Sequence, residues 1–327
     1  MALAVAATLA APAAAQSFPV AIEHIYGTTT IPAQPKRVVS VGWHEQDFLY
    51  ALGVAPVGVT NWFGDYDYGT WPWAEAARLA VGAEPSVGDP DPVNLEWVLA
   101  QDPDLIIAIY LPMDESIYAE LSKIAPVVTT PVGFDMWGVP WQDELRVIDR
   151  AVWGDTSRSE VIIADIGAKF AAAKAAYPQI AGKTASNVYY YAPNFEAWGS
   201  KDLGTRFLID LGLAFPAELD AMADGDNRIT ISSENFALLD LDAVLLPIEG
   251  GDTSGRKAIE GLALFQNSRV AKEGRAVWLD DPQGIAYAAM SWQSPLSLRY
   301  LLDVIPPAIA AAVDGDPATN VTVGAPE

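Results

Sequence analysis

The chain of 327 residues contains no cysteine. Disulfides, thiol nucleophiles and cysteine-ligated metals are therefore excluded together, as is lipid attachment at an N-terminal cysteine. Histidine is almost as scarce, with only His24 and His44. Sites for bare zinc or manganese ions usually gather several histidines and carboxylates at one point. Two histidines are a poor supply, so no metal site and no cofactor are expected. Basic residues are few as well: 19 Lys and Arg stand against 42 Asp and Glu, a formal net charge of -23. A nucleic-acid partner needs a basic face, so none is expected, and the acidity reads as a solvated surface. No run after the N-terminus has the roughly 18 consecutive apolar residues of a membrane span.

Catalytic motifs are missing too. There is no Gly-x-Ser-x-Gly elbow and no Walker A loop. His44-Glu45-Gln46-Asp47-Phe48 lacks the second histidine that a zincin helix carries four residues on. Neither histidine has a recognisable serine partner, so the chain is not expected to be an enzyme. Asp220–Gly225 resembles the start of a calcium loop, but Met222 occupies a ligand position and Ile231 stands where a glutamate is needed.

What the chain does have is apolar and aromatic residues, 51% and 10% of the total. That is ample for packed cores. Met1 to Ala15 is almost all Ala, Val and Leu, and Ala13-Ala14-Ala15 offers a small-x-small cleavage site before Gln16. This reads as a signal peptide. It lacks the usual basic residue ahead of the apolar run. The expectation is a mature, soluble protein of the periplasm.

The chain also repeats itself. Asp47-Phe-Leu-Tyr-Ala-Leu-Gly-Val54 is matched by Arg206-Phe-Leu-Ile-Asp-Leu-Gly-Leu213. Trp97–Ala108 is matched more loosely by Phe236–Leu246. In each pair a short amphipathic helix leads through an Asp-x-Asp turn into an apolar strand. Two such units, in a chain longer than one core usually supports, predict two lobes with a cleft between them. The pattern gives buried strands at 37–42, 56–60, 105–110 and 126–130, alternating with helices at 44–53, 95–101 and 115–123. Such alternation means an α/β lobe with a mainly parallel sheet. Residues 61–92 read as loop-rich. Helix 141–152 and an Ala-rich helix over 157–177 follow. The second unit has strands at 186–192, 243–247 and 275–279, with helices at 204–212, 233–239, 256–266 and 294–312, the last interrupted by Pro306-Pro307. The divisions expected are a signal peptide 1–15, a first lobe 16–155, a linking helix 156–178, a second lobe 179–312 and a frayed tail 313–327.

Four segments in this order resemble a known family: Gly27–Val39, Asn94-Leu-Glu with Pro103-Asp-Leu-Ile-Ile107, Leu121-Ser-Lys-Ile-Ala-Pro-Val-Val128 and Val270-Ala-Lys-Glu-Gly-Arg-Ala-Val277. The chain is similar, over residues 22 to 312, to the periplasmic substrate-binding proteins of ABC importers for iron–siderophores, hemes and cobalamin. The opening hairpin and the Ile-Ala-Pro-Val-Val strand are most like the siderophore branch. The resemblance implies two lobes with mainly parallel central sheets, joined by a single long helix, with the ligand in the cleft between them. It implies a monomer that hands a ferric siderophore to an ABC permease in the inner membrane, with iron present only inside that ligand.

In the family, ligand contacts come from loops at the strand ends. Carried over, these are 43–46, 61–73, 110–114, 133–141, 193–202, 248–254 and 280–293. They bring Trp43, His44, Trp62, Tyr66, Trp71, Trp73, Tyr110, Trp137, Trp141, Trp198, Tyr287 and Trp292 as candidates, with Arg206 at a helix start nearby. One acidic residue on each lobe docks on the permease: Glu115 in the first, and Asp252, with Glu249 nearby, in the second. Ferric catecholates are strongly anionic and call for desolvated arginine. A cleft rich in Trp and Tyr but poor in Arg suits a neutral or cationic ferric hydroxamate better. Heme or a corrinoid on the same fold is the alternative, with Tyr66, Tyr110 or His44 as a heme axial ligand. A cleft hydrolase is the remote one.

Overall fold

A computed structural model describes residues 17–61, 64–89, 92–248, 253–319, 321 and 323. The expected signal peptide lies outside the described residues, as do Trp62, Glu249 and Asp252. The chain opens with an antiparallel hairpin, β1 (Val20–His24) and β2 (Gly27–Ile31). Next come β3 (Val38–Ser40), α1 (Glu45–Ala51), β4 (Gly58–Thr60), α2 (Pro72–Ala80), β5 (Ser86–Gly88), α3 (Leu95–Ala100), β6 (Leu105–Ala108), α4 (Glu115–Leu121) and β7 (Val127–Thr129). The five strands β3–β7 form one parallel sheet in the order β5-β4-β3-β6-β7. β6 is buried at every residue, as a strand covered on both faces must be. Asn94 caps α3 by accepting from Trp97 N–H, as its position before the apolar run predicts.

Two helices lead to the second lobe, α5 (Trp141–Trp153) and α6 (Ser157–Ala176). Gly154, at φ 86°, ends α5 in a left-handed turn. The 20 residues of α6 make a rod of roughly 30 Å at about 1.5 Å per residue. Then follow β8 (Ala185–Tyr191), β9 (Asn194–Trp198), α7 (Leu203–Asp210), α8 (Ala217–Asp220), β10 (Arg228–Ser232), β11 (Ala243–Pro247), α9 (Thr253–Glu260), α10 (Ala263–Asn267), α11 (Arg269–Lys272), β12 (Ala276–Leu279), α12 (Ile285–Ser291) and α13 (Pro295–Ala312). The second sheet runs β10-β9-β8-β11-β12.

The repeat in the sequence is visible here. α1 and α7 carry the matched segments, and each gives way to a glycine at positive φ, Gly53 and Gly212. β3 continues in parallel with β4, whereas in the second lobe the corresponding strand shrinks to one parallel bridge, Thr184–Ala214. Its place in the sheet is taken by the antiparallel pair β9–β10.

Several expectations need correction. Residues 61–92 hold α2 and β5; Pro72 at the helix start looks like loop punctuation but fits the first turn, where no donor is needed. Residues 193–202 begin with β9 rather than a loop. Residues 280–293 contain α12. The helix expected over 256–266 is divided into α9 and α10. Pro306 and Pro307 do not interrupt α13, whose turn there is held by buried Ile305, Ala308 and Ile309. The tail is not wholly frayed, since Val323 is buried in the core.

One apolar core spans both lobes. It joins Val38, Leu105 and Ile107 of the first sheet to Ala185, Leu245 and Val277 of the second, through Ile166 and Phe170 of α6 and Leu298, Leu301 and Ile305 of α13. The last helix thus returns across the first lobe.

Candidate ligand cleft

In each sheet the chain reverses direction beside its first strand, between β3 and β6 and between β8 and β11. Ligands of open α/β sheets bind at the carboxyl ends of strands near such points. A cavity of about 770 Å³ lies there, between the lobes. That is within the range of roughly 300–1,000 Å³ typical of small-molecule sites. The first lobe contributes Tyr110, just past β6, and Asp135–Gly138. The second contributes Tyr189 and Tyr191 from β8, Trp198 from β9, the turns 200–203 and 223–227, Asp220, and Tyr287 and 290–292 around α12.

Aromatic rings form two groups. Trp43, Trp137 and Trp292 pack mutually, with centroids 4.8 Å (Trp43–Trp292), 5.2 Å (Trp43–Trp137) and 5.8 Å (Trp137–Trp292) apart. Tyr110 lies 5.7 Å from Trp137. Since Trp292 follows α12, this floor is shared between the lobes. On the other wall Tyr189 meets Trp198 at 5.1 Å and Tyr287 at 5.8 Å, both edge-on. Its hydroxyl is fixed by Ser291 Oγ at 2.7 Å and by Asn187 Nδ2–H at 3.2 Å. Burial pushes the proton affinity of both the Tyr110 and Tyr189 phenols up, so each presents a neutral hydroxyl.

The polar part of the wall is acidic. Asp135, Asp202, Asp220, Asp224 and Asp226 line the cavity beside one cation, Lys201. Asp220 accepts from Ser200 N–H and Oγ–H, and Asp202 caps α7 through Thr205 N–H. Arg206 does not line the cavity; its Nη1 donates across the lobes to the Gly138 carbonyl at 3.0 Å.

Of the residues singled out from the sequence, Tyr110, Trp137, Trp198, Tyr287 and Trp292 line the cavity. Trp43 supports the floor from behind. His44 is 2% exposed and sits beneath Tyr110, with ring centroids 4.5 Å apart. Trp71 and Trp73 do not line the cavity. They stack at 5.0 Å around the start of α2, Tyr66 leans on Trp71 at 4.7 Å, and Trp73 Nε1 donates to buried Asp47 at 2.7 Å. Trp141 is the first residue of α5 and lies in the core at 6% exposure. His24 is buried and bonded to Thr29 Oγ1, as expected of a structural histidine. Glu115 is exposed at the first position of α4, whose cap is Asp114.

Tyr189 and Tyr191 were not singled out. The signal was present in the alternation of a strand: in Tyr189-Tyr190-Tyr191 the odd positions face the cavity, while Tyr190 packs on the second-lobe core. The turn 223–227 carries no comparable signal, because Gly-Asp-Asn turns occur on every surface.

A family model described as periplasmic binding protein matches residues 38–282. The chain belongs to the periplasmic binding protein family. Among curated members it is 27% identical over 271 residues to the probable siderophore-binding lipoprotein YfiY of Bacillus subtilis, covering 80% of each chain. It is 26% identical over 298 residues to the ferric-anguibactin-binding protein FatB of Vibrio anguillarum, covering 88% of this chain and 86% of that one. Among solved structures, a periplasmic solute binding protein from Mycobacterium smegmatis superposes with a TM-score of 0.79 at 31% identity, covering 90% of this chain and 98% of that one. PiaA of Streptococcus pneumoniae in complex with ferrichrome superposes with a TM-score of 0.78 at 25% identity, covering 90% and 99%. The family is one of binding proteins, in keeping with the missing catalytic motifs.

Proposed function

We propose that this protein captures a ferric siderophore in the inter-lobe cavity, outside the cytoplasm, and delivers it to an ABC permease. The observation that carries the reading is the cavity itself: about 770 Å³, floored by Tyr110, Trp137 and Trp292 and walled by Tyr189 and Trp198. Siderophore-binding and ferric-siderophore-binding relatives over most of the chain support it. So does a relative solved with ferrichrome, a hydroxamate complex. The five cavity aspartates against one lysine oppose a triply anionic catecholate and suit a neutral or cationic hydroxamate. Heme and corrinoids are not favoured. Titration of the purified protein with ferric hydroxamate, ferric catecholate, heme and cobalamin tests this. Saturable quenching of tryptophan fluorescence by the hydroxamate, and weaker or no response to the others, is expected. No response to any iron complex from folded protein contradicts it.

Docking on the permease is assigned to the first-lobe residue Glu115, with Asp252 the second-lobe candidate. Glu115 is exposed on α4 and does not line the cavity. A rim charge of this kind acts on encounter and orientation. Glu115→Ala is therefore expected to leave siderophore affinity unchanged and to impair uptake in cells. Loss of affinity moves the residue into the binding site, and normal uptake together with Asp252→Ala removes the docking assignment.

A further inference from the structure

Behind the aromatic floor lies a polar cluster that ligand capture does not use. His44, Glu45 and Glu144 are 2%, 0% and 1% exposed. Each presents an imidazole nitrogen or carboxylate oxygen within 4.8 Å of the other two. Two elements supply them: His44 immediately precedes α1 and Glu45 opens it, while Glu144 stands in the first turn of α5.

The three groups are satisfied very unequally. Glu45 Oε1 accepts from Ile109 N–H and Tyr110 N–H, both at 2.8 Å, and Oε2 accepts from His44 N–H at 3.1 Å. This carboxylate is fixed in place, with one lone-pair direction left on Oε2. Glu144 has no hydrogen-bond partner on either oxygen, and the His44 ring makes only a loose contact with the Trp292 backbone. Yet His44 Nε2 and Glu144 Oε1 approach to 3.3 Å. A buried carboxylate without partners is costly. Two groups this close that make no hydrogen bond to each other call for a third partner. Ligands on one tetrahedral ion with bonds of roughly 2.0–2.1 Å lie about 3.3–3.4 Å apart; the His44–Glu144 pair has that separation, and all three donors lie within 4.8 Å of one another.

We propose that His44 Nε2, Glu144 and Glu45 Oε2 form a buried site for one divalent transition-metal ion of the zinc class, beneath the floor of the cleft. A divalent cation bound there would cancel the two negative charges that Glu45 and Glu144 carry when both ionise. One imidazole with two carboxylates is a zinc-type donor set, whereas calcium and magnesium call for six or more oxygens, several of them water. The scarcity of histidine does not exclude such a site, because it needs only one. Bound there, the ion ties α1 to α5. It also stiffens the turn that presents Tyr110, whose N–H is held by Glu45 and whose ring rests on His44.

The test uses the metal alone and so is independent of the siderophore. Purified full-length protein is stripped with a chelator, dialysed and titrated with zinc by calorimetry, and bound metal is counted after gel filtration. One equivalent is expected. Glu144→Gln, which keeps the side-chain shape, and His44→Gln are each expected to weaken binding by at least the roughly 100-fold that loss of an outer-shell partner can cause. Asp224→Asn, on the cavity wall, is expected to bind as wild type. Wild-type protein loaded with cobalt(II) gives a reading that needs no variant: the intense visible bands of a four-coordinate ion are expected. Absence of stoichiometric zinc, a Glu144→Gln protein that binds as tightly as wild type, or the weak spectrum of six-coordinate cobalt overturns the proposal.

Discussion

Gly42 shows how a single hydrogen atom in place of a side chain shapes the floor of the cleft. A Cβ at this position would overlap the Glu45 carboxylate, which occupies the space instead. From there Glu45 reaches the amides of Ile109 and Tyr110 at the end of β6. Gly42→Ala is expected to eject the carboxylate and leave buried donors without an acceptor. Each such donor costs about 1–3 kcal/mol, so a loss of roughly 2–4 kcal/mol in stability is expected from urea unfolding. An unchanged midpoint would show that the carboxylate is not needed at that place. None of this is legible in Val41-Gly42-Trp43-His44, where the glycine reads only as the end of a strand. Burial decides the matter, and burial is set by elements distant in sequence. His44 illustrates the same limit. Its position after the first strand is readable, but the α5 carboxylate beside it is 100 residues away.

At the scale of elements, periodicity served wherever one principle acted alone. β6 and β11 are continuous apolar runs, and α3 begins at a good cap; all three lie where the pattern puts them. It failed where local and tertiary signals conflict. The aromatic-rich stretch around Trp71-Pro72-Trp73 resembles a binding loop, yet it forms a helix start whose rings stack between α2 and α13. Pro306-Pro307 resembles a break, yet packing holds the helix. The joint between α1 and α13 is equally invisible in the sequence. Asp47 accepts from Trp73 Nε1–H and from Ser294 Oγ–H, each at 2.7 Å, and Ser294 in turn caps α13. Asp47→Ala leaves both donors unpaired, Ser294 fully buried and Trp73 partly so. It is expected to cost about 2–4 kcal/mol, with Asp47→Asn costing less because one acceptor oxygen remains. Thermal melts of the two variants decide this, and equal melting temperatures for Asp47→Ala and wild type contradict it.

For the whole molecule, the repeat in the chain, the two sheets with one strand order, and the cavity at both switch points are one fact seen at three levels. A shared core through α6 and α13 holds the lobes in register, so the cavity is largely built before a ligand arrives. This cavity, and not the neighbouring Tyr66–Trp71–Trp73 stack, is the proposed seat of the iron complex. Calorimetric titration of a ferric hydroxamate into wild type, Trp137→Ala and Tyr66→Phe tests it most directly. Trp137 is 39% exposed on the floor, so its replacement should leave the fold intact. A central aromatic contact is worth about 2 kcal/mol or more, which is at least a ten-fold loss of affinity at about 1.4 kcal/mol per factor of ten. That loss is expected for Trp137→Ala, and wild-type affinity for Tyr66→Phe. Undiminished binding by Trp137→Ala, or a loss confined to Tyr66→Phe, would contradict it.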